Sequence, residues 1–435
     1  MEVNNSLSQD LMINLETASL KELEAESIRL HNAADYYDSL QLGTKEFLNI
    51  VYGGTASVYF QCFNLNVAES ITLQSQQMTR VASTFINNYF NMVFPKDVAL
   101  HKELGIDSEL ASKYSIDFKN NRKDDLGVIT LERYSDTDSV YVTFETLIEY
   151  FSIPDDKAVE WILKLNRKGL EPFIGQCFEA YSKHFNCLSN TQSLELEKIS
   201  FALQMHAKKR YIMDNAWEEP HIFHKPLDKL MYTGIEVNQS STSSFARECI
   251  IDFIHYSFDK FYKRDVNLSD FIERIKEYRR KFMMENPERI TQSYKVNNYD
   301  KYILNDKTEY LFKKGTPFHC KGAAFHNYLL NNNNGFANKF ELINSGDKVK
   351  CYECKPRDVN DIIAKQSGYF SFHTGSYPYE YAPPIDYDVE FEKQILKPIN
   401  RIVSNLRQTF NMTPEEEQRS KMEIVPNMLK LKALF

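Results

Sequence analysis

The sequence predicts an α+β protein with more than one domain, and three observations support this class. The chain has 435 residues, of which 43% are hydrophobic and 13% aromatic, enough for a large core and two or three domains. Alternating apolar and polar residues predict a β-hairpin over 128–144 and a short strand around Lys348. Apolar residues at helical spacing predict helices over 20–36, 246–263 and 389–405.

The charge and the cysteines exclude several classes of protein. A net charge of −8 argues against a generally basic protein that coats DNA. The seven cysteines are scattered, and no secretory signal or membrane-spanning apolar run is present, which predicts a reducing compartment. Cys351 and Cys354 have the spacing of a zinc-ligand pair. No second Cys or His pair follows at a suitable distance, so a strand is the favoured interpretation.

The first elements are predicted to be helices. A charged amphipathic helix over 20–36 is followed, after a connection, by a second helix that carries Lys45, Asn49 and Tyr52. The spacings of four and three residues place a cation, an amide and a phenol on one face, which suits a triphosphate. The alternative is a plain amphipathic surface helix that ends at Gly53.

The next element is the predicted hairpin, with Asp136 and Asp138 at its tip. Magnesium takes oxygen ligands and bridges carboxylates to substrate phosphates, so this tip suits phosphoryl or nucleotidyl transfer. The alternative is an ordinary turn, because Asp and Ser often bond their own backbone in hairpin loops.

A basic run follows the apolar residues of 199–203 and consists of Lys208, Lys209 and Arg210 beside Tyr211. Such a run is either a solvated cluster or a contact with a phosphate backbone. At the other end of the chain, Leu431, Leu434 and Phe435 close an otherwise charged tail. Apolar residues at the end of such a tail have little core left to join, unless the tail docks on the chain's own fold.

These segments resemble the catalytic half of family B DNA polymerases. Residues 134–142 resemble the Tyr-Gly-Asp-Thr-Asp-Ser signature of the palm hairpin, with Ser135 in place of Gly. Residues 45–53 resemble the Lys-x-x-x-Asn-Ser-x-Tyr-Gly of a fingers helix, with Ile50 in place of Ser. Residues 208–211 match the Lys-Lys-Arg-Tyr segment, and all three motifs occur in the order of the family.

Further segments are similar to the replicative polymerases of large tailed bacteriophages, namely 234–242, 315–322 and 346–349. The resemblance implies a right-hand architecture without the exonuclease domain. It assigns 1–65 to partial helical fingers, 66–240 to a palm with an antiparallel sheet, 241–412 to a largely helical thumb, and 413–435 to a tail.

The resemblance also implies roles for the motif residues. Asp136 and Asp138 are expected to hold two Mg²⁺ ions for template-directed 5′ to 3′ extension. Lys45 and Asn49 are expected to bind the triphosphate of a deoxynucleoside triphosphate, with Tyr52 near the nascent base pair. The cations of 208–211 are expected to lie along primer-template DNA, and two thumb residues are expected to contact phosphates, His319 and Lys321.

A family B polymerase needs a further Asp from a segment that precedes the fingers, and no Asp upstream of Lys45 has a suitable context. The sequence is therefore expected to be the C-terminal subunit of a split polymerase, with an N-terminal polymerase/exonuclease chain as partner. The alternative is an inactive DNA-binding or clamp-tethering remnant. By resemblance, the apolar tail is expected to bind a sliding clamp. The protein is expected to act in the cytoplasm of a phage-infected bacterial host, and no membrane is expected among its partners.

Overall fold

The structure is a computed structural model, and it describes residues 18–114, 122–123, 129–136, 138–219, 221–265, 268–303, 312–332, 334–355 and 367–409. The contacts divide the chain into two compact units. The first unit comprises 1–153 and 164–194, and the second comprises 154–163 and 195–435. The architecture is mixed, with helices and antiparallel sheets in both units, as the sequence predicts.

In its described residues, the first unit contains mostly helices and two small antiparallel strand pairs. Its helices are α1 (Leu20–Ala56), α2 (Leu65–Asn88), α3 (Val98–Leu104), α4 (Ser108–Ser112) and α5 (Glu145–Tyr150). Helix α6 (Asp155–Leu165) crosses the unit boundary and is followed by α7 (Glu171–His184), with π-helical turns at 89–93 and 166–170. The strands are β1 (Arg122–Lys123), β2 (Ile129–Thr130), β3 (Glu132–Asp136) and β4 (Ser139–Val142).

Helix α1 corrects the prediction of two helices joined by a connection. It is continuous over 37 residues and ends at Ala56, three residues beyond the predicted end at Gly53. No proline interrupts it, and Ser39 and Thr44 bond carbonyls one turn earlier, which keeps their side chains compatible with the helix. Its start is fixed by a capping box, in which Ser19 and Glu22 each satisfy the other's backbone N–H.

The core of the first unit is aromatic. Tyr89, Phe90 and Phe94 are fully buried, and Phe90 packs edge-on against Phe144, just after β4. Gly169 lies so close to Tyr89 that an added Cβ would be 2.0 Å from its hydroxyl oxygen. Helix α2 packs both against α1 and against the β3–β4 hairpin, so it links the long helix to the predicted catalytic strands.

The described strands of the second unit form two antiparallel sheets. One pairs β5 (Lys198–Ala207) with β6 (Arg210–Glu218), and β6 also pairs with β7 (His221–Ile222) and β8 (Leu230–Thr233). The other has the order β11–β10–β9, from β9 (Gln292–Lys295), β10 (Lys348–Glu353) and β11 (Tyr369–His373). The predicted strand around Lys348 is thus confirmed.

Helices cover both sheets of the second unit. They are α8 (Ser244–Tyr262), α9 (Leu268–Met284), α10 (Pro287–Ile290), α11 (Tyr299–Tyr302), α12 (Phe318–Asn331), α13 (Asn334–Ala337), α14 (Tyr387–Phe391) and α15 (Lys397–Thr409). A π-helical turn over 392–396 joins α14 to α15. The helices predicted over 246–263 and 389–405 are therefore confirmed to within a few residues.

The apolar core of this unit lies between α8, the sheets and the C-terminal helices. Phe253, Phe282, Phe370 and Phe372 are fully buried in it. Burial of each such side chain stabilises the fold by about 1.5–3 kcal/mol relative to exposure. The strands that end in the basic run are therefore held by a large core.

Candidate functional site

The hairpin of the first unit has its two acids at the tip, as the sequence predicts. Strands β3 and β4 pair from Glu132 with Val142 to Asp136 with Ser139. This register makes Asp136 the last residue of β3 and leaves a two-residue turn that contains Asp138. The amide of Asp138 donates to the carbonyl oxygen of Asp136 at 2.6 Å, and Ser139 Oγ donates to the same oxygen at 3.1 Å. These bonds fix the turn that carries both carboxylates.

The base of the hairpin is held by packing and by one short hydrogen bond. The rings of Tyr134 and Tyr141 face each other across the strands with centroids 5.3 Å apart. Ser83 Oγ on α2 donates to Glu132 Oε2 at 2.5 Å, and Glu132 is buried. A β-bulge between Glu132 and Tyr134 shifts the register before the tip. The strands are therefore anchored to a helix, which suits a tip that must hold its geometry.

The donor set of this tip fits magnesium chemically. Both side chains are carboxylates, the ligand type that Mg²⁺ prefers, and a magnesium site typically uses one or two carboxylates together with waters and substrate phosphates. The exposed position of Asp138 leaves room for such ligands. Among the described residues, no group of three or more His, Cys, Asp or Glu side chains is placed to hold a metal ion. The tip thus presents two carboxylates of a site that would need further ligands.

Lys45, Asn49 and Tyr52 lie on the single helix α1, in its exposed C-terminal half. Their spacing places them on one face, as predicted. Asn49 also borders an open groove of about 580 Å³, whose other lining residues are Glu46, Ile50, Gly53, Gly54, Ser57 and Phe60. Gly54 packs closely against Phe60, because an added Cβ would lie 2.8 Å from its ring. The groove is mostly apolar, so it suits a ring or an apolar side chain better than a phosphate.

The basic run forms the tip of the β5–β6 hairpin in the second unit. Ala207 pairs with Arg210, so Lys208 and Lys209 are the two residues of the turn, and both are exposed. Lys209 has a φ of +60°, a conformation that costs a non-glycine residue about 1 kcal/mol or more. Gly234 lies against this turn, and a Cβ on it would be 2.1 Å from the carbonyl oxygen of Lys209.

The other two residues of the run are integrated into the fold. Tyr211 is buried in β6, and Arg210 Nη2 donates to Glu236 Oε1 at 2.7 Å. Arg401 on α15 donates to the same carboxylate oxygen. Burial acts to raise the pKa of Glu236, but the hydrogen bond from Arg210 and the two positive charges outweigh it, so that pKa is below its ordinary value. Arg210 is therefore paired with protein, and its predicted contact with DNA stays a prediction.

His319 and Lys321 lie in the first turns of α12, and both are partly covered by aromatic rings. The imidazole of His319 stacks on Tyr294 with centroids 5.3 Å apart, and Lys321 Nζ lies 5.3 Å from the centre of the Phe312 ring. Burial lowers the pKa of His319 below its ordinary value. Burial thus favours the neutral form of this imidazole.

The remaining candidate residues are paired with acids, buried, or outside the described part of the chain. Several cations of the second unit are bonded to acids, including Lys260 to Asp265 at 2.5 Å and Arg279 to Asp388 at 2.6 Å. Cys351 is buried in β10, and burial raises the pKa of its thiol to about 12, which disfavours the thiolate that a metal would need. The predicted clamp-binding residues lie outside the described part of the chain, namely Leu431, Leu434 and Phe435.

Sequence reasoning missed two sets of supporting residues. Ser83 and Glu132 bond across 49 positions, and Glu236 and Arg401 across 165. Residues so far apart in sequence cannot be recognised as hydrogen-bond partners from periodicity or from a local motif. The one available hint was Glu132, a carboxylate inside a strand that otherwise alternates towards a core.

Comparisons with known proteins give two partial similarities. The chain is 25% identical over 307 residues to the DNA-directed DNA polymerase of Enterobacteria phage T4, covering 67% of this chain and 29% of that protein. It is 23% identical over 262 residues to the DNA-directed DNA polymerase of Escherichia phage RB69, covering 57% of this chain and 25% of that protein. The aligned part therefore spans less than a third of either relative. No protein-family model matches the chain. Within the described residues, no helix is long and apolar enough to cross a bilayer.

Proposed function

We propose that this chain is the C-terminal part of a DNA-directed DNA polymerase of the family B type, and that it takes part in 5′ to 3′ nucleotidyl transfer. The observation that carries the proposal is the hairpin tip, where Asp136 ends β3 and Asp138 occupies the turn. The similarity to the phage T4 and RB69 polymerases supports it. In this proposal, 1–65 contributes to the fingers, 66–240 to the palm and 241–412 to the thumb.

The reaction needs residues that orient the triphosphate and disperse its charge. Two Mg²⁺ ions, when bound, lower the charge barrier between the attacking hydroxyl and the phosphate and stabilise the leaving pyrophosphate. Asp138 and Asp136 would hold these ions by their carboxylates, and the backbone hydrogen bond between the two residues limits the motion of the turn. Lys45 and Asn49 bind the triphosphate from α1, and Tyr52 borders the nascent base pair. Positioning and electrostatics supply most of the catalysis in phosphoryl transfer.

The exposed Lys208–Lys209 turn binds the primer-template duplex, together with Lys321. Contacts between cations and phosphates give affinity without sequence preference, as a replicative enzyme requires. Arg210 and Tyr211 support the turn from within the fold, and His319 lies two residues before Lys321 on α12. Because the chain as a whole is acidic, contacts with DNA are confined to these local cations.

We also propose that a second polypeptide, carrying the remaining catalytic Asp and a proofreading domain, completes the enzyme. Helix α1 supports this proposal, because it presents a seam at spacings of three and four residues made of Tyr37, Leu40, Thr44, Phe47 and Val51. The four apolar side chains of this seam are 52% to 64% exposed. Such a seam is typical of a helix–helix contact, so a helix of the second polypeptide fits it. The tail with Leu431, Leu434 and Phe435 is proposed to bind a sliding clamp.

The test is primer extension with purified components. This chain, the polypeptide from an adjacent reading frame that carries an exonuclease domain, and the mixture of both are compared on one primer-template with Mg²⁺ and deoxynucleotides. The proposal expects extension by the mixture only. DNA binding without extension in the mixture identifies an inactive DNA-binding remnant instead.

A further inference from the structure

The Lys208–Lys209 turn is connected to the C-terminal helix α15 by polar contacts from both of its strands. On β5, Gln204 Nε2 donates to the carbonyl oxygen of Ile402 at 3.0 Å. On β6, Arg210 shares the carboxylate of Glu236 with Arg401 of α15. Helix α15 thus bonds directly to β5, and it is linked to Arg210 of β6 through the carboxylate of Glu236.

Helix α15 is itself fixed to the core. Ile399 and Ile402 are buried in the main apolar cluster of the second unit, and α15 packs against β5 and α8. Arg401 therefore comes from an element that cannot move without exposing buried side chains. The carboxylate of Glu236, which follows β8, is only 18% exposed and accepts from two guanidinium groups. Charge-assisted bonds of this kind are stronger than neutral ones.

The turn needs such support. It places two lysines next to each other in a two-residue turn, where their like charges repel. Lys209 adopts a positive φ, which is unfavourable for a residue with a Cβ. Because charge repulsion and the positive φ both disfavour this turn, neighbouring parts of the fold must stabilise it. These neighbours are Gly234, Glu236 and α15.

From this arrangement, we propose that Glu236 and Arg401 are positioning residues for DNA binding: they hold the Lys208–Lys209 turn in the conformation that contacts the duplex, and α15 is the strut that carries this support. The inference rests on the proposed function, since it takes the turn to be a DNA contact. Arg401 acts through Glu236 and Arg210 and not by touching DNA.

The test is a double-mutant cycle on DNA affinity, measured by fluorescence anisotropy of the full chain with a labelled primer-template. The variants are Arg401→Gln, Lys208→Ala with Lys209→Ala, and all three together. We expect Arg401→Gln to weaken binding by about threefold to tenfold in the parental chain and to have no further effect once both lysines are absent. Lys397→Gln is the matched control, because it removes the same charge from the same helix, where its partner is Glu392 and not the hairpin.

The outcomes separate the inference from the function. If the two lysine substitutions leave DNA affinity unchanged, the turn is not a DNA contact and the proposed role of the turn is wrong. If they weaken binding but Arg401→Gln adds the same loss in both backgrounds, Arg401 contacts DNA itself and the positioning role is overturned. If Arg401→Gln does not fold, Glu236→Gln takes its place in the cycle, with the same expected non-additivity. An Arg401→Gln variant with parental affinity also overturns the inference.

Discussion

Gly234 gives a quantitative test of how the basic turn is built. It has a φ of +63°, and a Cβ at this position would lie 2.1 Å from the carbonyl oxygen of Lys209. In Gly234→Ala, the left-handed conformation costs about 1–2 kcal/mol. Relief of the backbone clash costs about 1–3 kcal/mol more, as for other overpacked sites. We therefore expect the free energy of unfolding of the second unit to fall by about 2–5 kcal/mol.

Gly368→Ala is the matched control for that variant. Gly368 has the same φ of +63°, but an added Cβ would meet no atom of the described residues within 4 Å. It therefore isolates the conformational cost of about 1–2 kcal/mol. The difference between the two variants measures the contact between Gly234 and the turn.

The assay is urea unfolding followed by tryptophan fluorescence. The chain has two tryptophans, and one of them, Trp217, lies in β6, the strand that follows the turn, so part of the signal reports on this sheet. Gly234→Ala should lower the unfolding midpoint clearly more than Gly368→Ala does. Equal midpoints for the two variants would refute the close packing of Gly234 on Lys209.

Three further predictions test other parts of the molecule. Lys45→Ala should raise the apparent nucleotide KM and lower the extension rate, so that kcat/KM falls by about tenfold to a hundredfold. Lys21→Ala on the same helix is the control, and equal kinetics for the two variants would refute the triphosphate contact. Ser83→Ala should destabilise the first unit by about 1–3 kcal/mol, because the buried Glu132 loses a hydrogen bond, whereas the exposed Ser70→Ala should change little. Burial lowers the pKa of His326 from 6.5 to about 4. The unfolded chain therefore takes up a proton first as the pH falls from 6.5 to 4, and stability should drop by about 3 kcal/mol over this window. His326→Asn should remove that part of the pH dependence in urea unfolding, and an unchanged slope would contradict it.

Much of the secondary structure could be predicted from local patterns. The hairpin with Asp136 and Asp138 follows from alternation and turn chemistry, both of which act within a few residues. The helices over 246–263 and 389–405 follow from apolar residues at helical spacing. The break after residue 36 was wrong, because charged and aromatic residues without a proline or a cap signal do not end a helix.

The supporting contacts of the site could not be predicted in the same way. The bond between Ser83 and Glu132, and the carboxylate shared by Arg210 and Arg401, join elements that only the tertiary fold brings together. The lowered pKa of His319 likewise depends on its burial against Tyr294. A basic motif indicates charge, whereas the fold decides which of its cations are exposed and which are paired.

In the proposed function, nucleotidyl transfer depends on the carboxylates of the hairpin tip. The most direct measurement is single-nucleotide primer extension by the mixture of this chain with its proposed partner polypeptide, using Asp138→Asn and the matched control Asp156→Asn. Asp156 is an exposed acid in the first turn of α6, away from the hairpin in sequence. We predict that Asp138→Asn abolishes extension while its DNA affinity stays parental, and that Asp156→Asn extends at the parental rate. Extension by Asp138→Asn at the parental rate would contradict the account.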